Sequence, residues 1–441
     1  MHVDVEADGR DIAAIIDGRP ISAFQVRLLA LIATAIVMDG FDVQAMGFVA
    51  PAVVQDWHIA IETLGPIFAA GLIGMLLGSI GLGMLSDRIG RRPVLIGALL
   101  SFGLCTFATA FAPSVAGLLA GRLLAGLGLG GVMGNAIALA SELSPARRRA
   151  TILMALSCGF TGGAIAGGLL SAVLIPVAGW RSVFMVGGAL PLLISALMAA
   201  MLPESLHFSA SRGLWSSRSK AALERIAPGT DALRLRATPR ATVSGRGSVT
   251  GLLRDGRAAA TVILWAISCA NMLQLFFLAS WLPTLAVRMG YAGQTAVLIG
   301  TMLQVGGVAG ALAMGPLIDR YGFRWMLAAA FAIACLSIAA MSGQGLGLLS
   351  LMTLVLLAGI GVAGAQPAIN TLATYIYPTP LRAAGVGWAL GIGRAGAIAS
   401  PIIASRLIAL HWSNHELLAA AAVPAAVSCL LILILPRTSS Y

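Results

Sequence analysis

Asp39-Gly40-Phe41-Asp42 places two carboxylates at i and i+3 inside a long apolar run, Leu28 to Val54. On a helix both project from one face. An acid at the centre of a bilayer costs roughly 2.5–3.5 kcal/mol on insertion scales, which is why such acids are usually functional. The chemistry open to this pair is the uptake and release of protons in a polar passage. Two arginines, Arg122 and Arg394, also sit inside apolar runs. At ~1.5 Å per residue, Asp39 is ~17 Å and Asp42 ~21 Å from the start of their run, and Arg122 is ~12 Å from one end of its own or ~18 Å from the other. These depths overlap, so an Asp–Arg contact is feasible, either as a static ion pair or as one linked to protonation. Which acid cycles is left open. Arg394 lies ~17 Å deep, with no acid at similar depth in the second half of the chain. Its partner is either a substrate carboxylate, held through a bidentate pair, or Asp39 or Asp42 across the bundle.

Phe41, Trp281 and Trp388 are aromatic candidates for stacking on a ring, and Asn271, Gln304, Gln366 and Asn370 are amides able to bond a ring hydroxyl. Each can equally be packing or inter-helix glue. Glu142 closes the fourth apolar run and is a weaker candidate; pairing with Arg147 or Arg148 would account for it. His2, His58, His207, His411 and His415 fall in tails, loops or span ends, which leaves the carboxylates as the proton carriers. The five cysteines lie in apolar runs without metal spacing. Gly126, Gly128, Gly130, Gly131 and Gly134 read as tight helix packing, since no strand precedes them to make a phosphate loop. No cofactor or metal is expected.

The elements that position these groups are membrane spans. The chain of 441 residues is 59% hydrophobic and 10% charged, against about 25% charged in soluble domains. About twelve apolar runs are long enough to cross a core of about 30 Å. They fall at 28–54, 62–84, 93–112, 115–141, 150–174, 182–202, 258–285, 295–316, 325–343, 347–373, 383–408 and 415–436. This predicts an all-α membrane protein of two six-helix bundles, 28–202 and 258–436, with tails at 1–27 and 437–441 and a polar central linker at 203–257. The linker is expected to be mobile or partly helical, with a short helix from Lys220 to Ile226. The net charge of +11 is carried by arginines in alternate loops, including Arg88, Arg91, Arg92, Arg147, Arg148, Arg149, Arg320 and Arg324. That asymmetry puts both termini and the linker in the cytoplasm. A nucleic-acid role is not expected, because interleaved aromatics are almost absent from the linker.

The two halves repeat. Gly83, Asp87, Arg88, Gly90 and Arg92 recur at identical spacing as Gly315, Asp319, Arg320, Gly322 and Arg324. Arg149-Ala150 with Gly163-Ala-Ile-Ala matches Arg382-Ala383 with Gly396-Ala-Ile-Ala, and Pro51 matches Pro283. Parallel repeats of this kind place a substrate between the halves. The acid and the arginines of the loop could form a latch that holds one conformation and breaks in the other, or a purely topogenic basic loop. In the latch reading Asp87 sits near the N-terminus of a helix beginning around Pro93, or pairs across the loop.

The Gly83–Arg92 stretch resembles the cytoplasmic signature of the major facilitator superfamily, and Pro203-Glu204-Ser205 resembles another recurrent element there. The resemblance covers essentially the whole chain. Asp39-Gly-Phe-Asp42, Arg122 and Gly391-Ile-Gly-Arg394 look like the aromatic acid/proton symporter branch, and with Gly47-Phe-Val-Ala-Pro51 most resemble transporters of 4-hydroxybenzoate and protocatechuate. The resemblance implies a pseudo-symmetric twelve-helix fold in a bacterial inner membrane. It also implies import of a small aromatic carboxylate with protons by alternating access, by a chain expected to be a monomer. Other organic anions (benzoate, hydroxyphenylpropionate, a dicarboxylate such as muconate) and a transport-like sensor are the alternatives. A membrane enzyme is disfavoured, because the spans hold no His/Asp/Glu cluster or metal motif.

Overall fold

The computed structural model describes residues 10–230, 235–236, 249–343 and 345–436. The tail 1–27 and linker 203–257 are therefore covered in part, and the tail 437–441 lies outside the described residues. A two-residue strand β1 (Arg10–Asp11) and a short helix α1 (Ile12–Asp17) precede the long helix α2 (Ala23–Trp57). The first half continues with α3 (Leu64–Ile89), α4 (Arg91–Thr109), α5 (Val115–Gly130), α6 (Val132–Leu143), α7 (Ala146–Ala178) and α8 (Arg181–Met201). The linker supplies α9 (Leu206–Arg212), α10 (Ser217–Ile226), β2 (Leu235–Arg236) and α11 (Val249–Leu252). The second half holds α12 (Ala258–Arg288), α13 (Gly293–Tyr321), α14 (Phe323–Met341), α15 (Leu348–Val362), α16 (Ala365–Ile376), α17 (Thr379–Ala409) and α18 (Asn414–Ile434). Among the described residues eleven helical segments are long and apolar enough to cross a membrane. The 35-residue α2 makes the twelfth.

The repeat is visible in the backbone. Gly90 and Gly322 end α3 and α13 at equivalent positions, with φ of 102° and 82°, a region that side chains with a Cβ avoid. The fourth and tenth spans are both interrupted at an equivalent glycine, Gly131 between α5 and α6 and Gly364 between α15 and α16. Each run therefore reads as one span in the sequence and as two helices in the structure. The helix after the first signature begins at Arg91, two residues before Pro93.

The described part of the linker is partly helical. Its helix α10 covers Ser217–Ile226, longer than the expected Lys220–Ile226, and α9 precedes it. β1 pairs with β2 in parallel, the one strand pairing among the described residues. Ile12 and Ile16 are buried in the same core as Leu223 and Ile226, so α1 and the linker together cover the end of the first bundle. Asp17 accepts from the N–H of Ala146 at 2.6 Å, at the start of α7, and pairs with Arg149 at 3.4 Å.

The two halves share one core at the end away from the arginine-rich loops and keep separate cores at the other. The common cluster takes Met46, Val49, Ile67 and Phe184 from the first half and Phe277, Trp281, Leu303 and Leu418 from the second. Toward the loops, Ile32, Leu95, Phe102 and Met198 form one cluster, and Leu264, Leu327, Phe331 and Leu372 form another. Three close approaches close the seam between the halves: Gly47 on Ala279, Gly65 on Ser405 and Gly168 on Thr301. Ser405 also donates to the carbonyl of Glu62 at 2.6 Å.

The helix that carries the two acids is held by a backbone contact. α2 begins with a capping box made by Ser22 and Gln25. It runs parallel to α7, where Gly40 faces the Phe160 carbonyl and Gly163 faces the Val37 carbonyl. A Cβ on Gly40 would overlap the Phe160 carbonyl, and backbone cannot step aside as a side chain can. Gly40→Ala is therefore expected to destabilise by about 1–3 kcal/mol through overpacking, read as a lower Tm of the purified protein. Gly97→Ala is the control, because nothing lies within 4 Å of a Cβ there. A Tm for Gly40→Ala equal to that of Gly97→Ala would refute the contact.

Candidate functional site

Asp42 and Arg122 meet in the first bundle. Arg122 Nη1 donates to Asp42 Oδ1 at 2.9 Å and Nη2 to Oδ2 at 2.7 Å, a two-pronged pair that α2 and α5 bring together. Nη2 also reaches the Asp42 carbonyl at 3.2 Å, and the Thr106 hydroxyl of α4 donates to Oδ1 at 3.1 Å. The guanidinium lies 5.8 Å from the centroid of the Phe184 ring. Asp42 is 0% exposed and Arg122 5%, so each charge needs the other. Beside the pair is a cavity of about 30 Å³ lined by Asp42, Met46, Phe68, Met75, Arg122 and Ser280 among others. That is space for water rather than for a six-membered ring.

Asp39 is placed differently. It is 0% exposed, and neither carboxylate oxygen has a hydrogen-bond partner among the described residues. The two acids are thus one turn apart, both turned away from lipid, one fully paired and one unpaired. Arg394, on α17, is the cation whose charge reaches Asp39. Arg394 is exposed and donates to Ser79 Oγ of α3 at 2.5 Å, a contact between the two halves.

The amides of the second half form a chain. Asn271 Nδ2 donates to Gln366 Oε1 at 2.7 Å and to the Val362 carbonyl at 3.2 Å, and Gln366 Nε2 donates to Asn370 Oδ1 at 3.1 Å. Asn271 is fully buried, and its Oδ1 has no partner among the described residues. Gln304 is buried on α13 and does not line the cavity beside Asp42. The aromatic candidates do not gather around that cavity either. Phe41 packs its ring over Gly167 and Gly187. Trp281 is fully buried edge-on to Phe68 at 5.4 Å, with Nε1 unpartnered. Trp388 is 44% exposed and lies 5.9 Å from Trp265.

At the loop end of the first bundle, polar groups interlock. Glu142 pairs with Arg91 and accepts from the Ser205 hydroxyl, rather than pairing with Arg147 or Arg148, its neighbours in sequence. Glu204 accepts from the N–H groups of Arg91 and Arg92 at 3.0 and 3.1 Å and so caps α4. Arg92 donates to the carbonyls of Leu202 and Ala199 at 2.7 and 2.8 Å. The helix-capping role that spacing offered to Asp87 thus belongs to Glu204. Asp87 and Arg88 are exposed, and no ion pair to the Asp87 carboxylate occurs among the described residues. Gly83 has open space around it. In the repeat, Asp319 and Arg320 are likewise exposed, with Arg320 5.2 Å from the Tyr321 ring centroid. Thr106, Ser79 and Phe184 were not singled out from sequence; a hydroxyl or ring inside a span carries no signal until its neighbour is known.

Comparison with known proteins addresses the family and the fold. The family model described as Major Facilitator Superfamily matches residues 32–314 and 264–441. The chain is 40% identical to the 4-hydroxybenzoate transporter PcaK of Pseudomonas aeruginosa, over 96% of this chain and 95% of that one. It is 37% identical to the gallate transporter of Pseudomonas putida, over 96% and 94%. Among solved structures, the inward open conformation of the xylose transporter XylE from E. coli superposes with a TM-score of 0.72 at 16% identity, covering 94% of this chain and 97% of that one. That last likeness concerns the fold.

Proposed function

The chain belongs to the Major Facilitator Superfamily, and from that premise we propose that it imports a small aromatic carboxylate such as 4-hydroxybenzoate or protocatechuate together with protons. It is a multi-pass membrane transporter rather than an enzyme. In our reading it lies in a bacterial inner membrane as a monomer with both termini in the cytoplasm, in keeping with the arginine-rich loops. The substrate class follows the relatives that carry 4-hydroxybenzoate and gallate.

The observation that carries the coupling is the contrast between the two acids of α2. Asp42 is neutralised by Arg122. Asp39 is buried without a hydrogen-bond partner, and an unpaired carboxylate in that setting gains from holding a proton. We assign Asp39 as the proton carrier and Asp42–Arg122 as the pair that fixes its surroundings. Arg394 is then the cation for the substrate carboxylate. Arg122 is already committed to Asp42, so one guanidinium remains for one carboxylate, which favours a monocarboxylate over a dicarboxylate. The amide chain from Asn271 to Asn370 offers polar groups in the second half suited to a ring bearing a hydroxyl, with Gln366 and Asn370 less buried than Asn271.

The latch is read in the same terms. With the halves joined at the far end and separate at the loops, Asp87 and Arg88 are exposed, and Arg212 reaches only the Asp87 carbonyl, at 3.5 Å. They are proposed to engage when the loop end closes, while Glu142, Arg91 and Glu204 hold the first bundle rigid in both states. The test of the whole reading is uptake by proteoliposomes against hydroxylated benzoates, benzoate and muconate, with and without an imposed pH gradient. Accumulation of hydroxybenzoates only when the gradient is present supports it. Saturable binding with no accumulation would instead make the chain a sensor.

Arg394→Lys tests the carboxylate contact. Lysine keeps the charge and loses the two-pronged geometry. Charge-assisted hydrogen bonds contribute about 1.5–3 kcal/mol each, so the apparent KM is expected to rise roughly tenfold or more, with expression unchanged. An unaltered KM would remove Arg394 from substrate recognition.

A further inference from the structure

A second polar site lies outside the transport path, where the linker helix α10 meets the foot of α2 and the end of α8. A cavity of about 310 Å³ there is lined by Arg27, Arg218 and Arg225 together with Phe24, Leu28 and Pro203. No acidic residue lines it. Each guanidinium is anchored by one local contact. Arg27 Nε donates to the Ala23 carbonyl at 3.3 Å, and Arg218 Nη1 to the Ala199 carbonyl at 2.5 Å. Arg225 lies 5.2 Å from the Phe24 ring centroid. A guanidinium has five N–H donors, so most of the donor capacity of all three remains. None of the three has an ion pair to a carboxylate among the described residues.

The surroundings say what kind of anion fits. Leu28 and Met201 are the level at which the apolar spans begin and end, so the cavity lies at the membrane boundary on the side of the arginine-rich loops. Above it, Leu193, Leu197 and Met201 of α8 are exposed at i, i+4 and i+8, at 58%, 44% and 48%. This is one apolar stripe on one helix face, and its last residue lines the cavity. On the α2 side Val26 is 55% exposed. A three-guanidinium pocket at the foot of a lipid-facing stripe matches a molecule with an anionic head and an apolar tail.

We propose that this cavity is a binding site for an anionic phospholipid, with the headgroup phosphate among Arg27, Arg218 and Arg225 and an acyl chain along Leu193, Leu197 and Met201. The occupant ties α10, and with it the linker, to the helix that carries Asp39 and Asp42. The inference needs only that the chain spans a membrane; it does not depend on which substrate is carried.

The experiment uses the full-length protein in nanodiscs, with phosphatidylglycerol titrated into phosphatidylcholine, bound lipid read by native mass spectrometry and stability by Tm. The expected result is retention of phosphatidylglycerol and a Tm that rises with its fraction. Basic side chains near an anionic surface contribute about fivefold each. Arg218→Gln/Arg225→Gln should therefore weaken retention roughly twentyfold, and Arg218→Lys/Arg225→Lys less. Arg254→Gln, an exposed linker arginine outside the cavity, should leave it unchanged. Equal behaviour in the two lipids overturns the proposal on the unaltered protein alone, whether or not the double variant folds. Equal loss in Arg254→Gln also overturns it, by making the effect general charge. Displacement of phosphatidylglycerol by millimolar inorganic phosphate overturns it in favour of a soluble-anion site.

Discussion

Asp39→Asn is expected to abolish gradient-driven accumulation while substrate binding survives. The amide stands in for the protonated acid, so the cavity should still form and the substrate should still bind. What is lost is the release of a proton on one side and its uptake on the other. For one proton moved per substrate anion, a gradient of one pH unit corresponds to ~1.4 kcal/mol and a tenfold concentration ratio. Accumulation of labelled substrate should therefore fall from about tenfold in the parent to about unity in Asp39→Asn. Exchange of internal for external substrate, which needs no net proton movement, should continue. Retained accumulation would show that Asp39 is not the coupling group, and simultaneous loss of exchange would make it a structural residue. Asp42→Asn is expected to fail differently, because it takes the partner from a buried arginine.

Arg122→Ala carries the other large effect, and it falls on folding. Removing one member of a buried ion pair leaves the other charged and unpaired, at about 3–5 kcal/mol. Expression and Tm should both fall. Pairing the change with the neutralisation of its partner, in Asp42→Asn/Arg122→Gln, removes the orphan charge and should recover most of the loss, since that loss comes from an uncompensated buried charge and the two amides can hydrogen-bond each other. If Arg122→Ala alone is as stable as the parent, water has reached the pair and the site is wetter than the about 30 Å³ beside it indicates. If the double variant is stable yet does not transport, the pair also serves the carrier cycle.

The sequence carried the span pattern, the repeat and the depth match between α2 and α5 because each follows from hydrophobicity, spacing or helical rise. Gly90 and Gly322 could be anticipated as a pair, since only a turn of that kind would place glycine at the same point of both signatures. The difference in setting between Asp39, unpartnered, and Asp42, paired, could not be read in advance. Both acids satisfy the same burial argument, and only the position of the Arg122 guanidinium and the Thr106 hydroxyl separates them. Glu142 illustrates the same limit. Proximity in the chain pointed to Arg147 or Arg148, whereas the fold brings Arg91 and Ser205 to it from distant loops. The linker's polarity left a mobile and a partly helical segment both open; composition alone does not reveal that the isoleucines of α1 are buried in the same core as Leu223 and Ile226 of α10. Trp388, a candidate stacking wall, lies against the Trp265 indole while remaining 44% exposed, a neighbour that spacing does not reveal.

The seam that joins the halves is made of very small side chains: Gly47 on Ala279, Gly65 on Ser405, Gly168 on Thr301. Glycine backbone there meets main chain at Ala279 and the short side chains of Ser405 and Thr301, so a gap of about 0.5–1 Å already forfeits a quarter to a half of each contact. Interdigitated bulky residues would instead have to slide past one another and would hold intermediate positions. A seam of this build behaves like a snap fastener, shut or released with nothing stable between. That is a useful property in a carrier, because a half-parted seam would open a continuous path across the membrane.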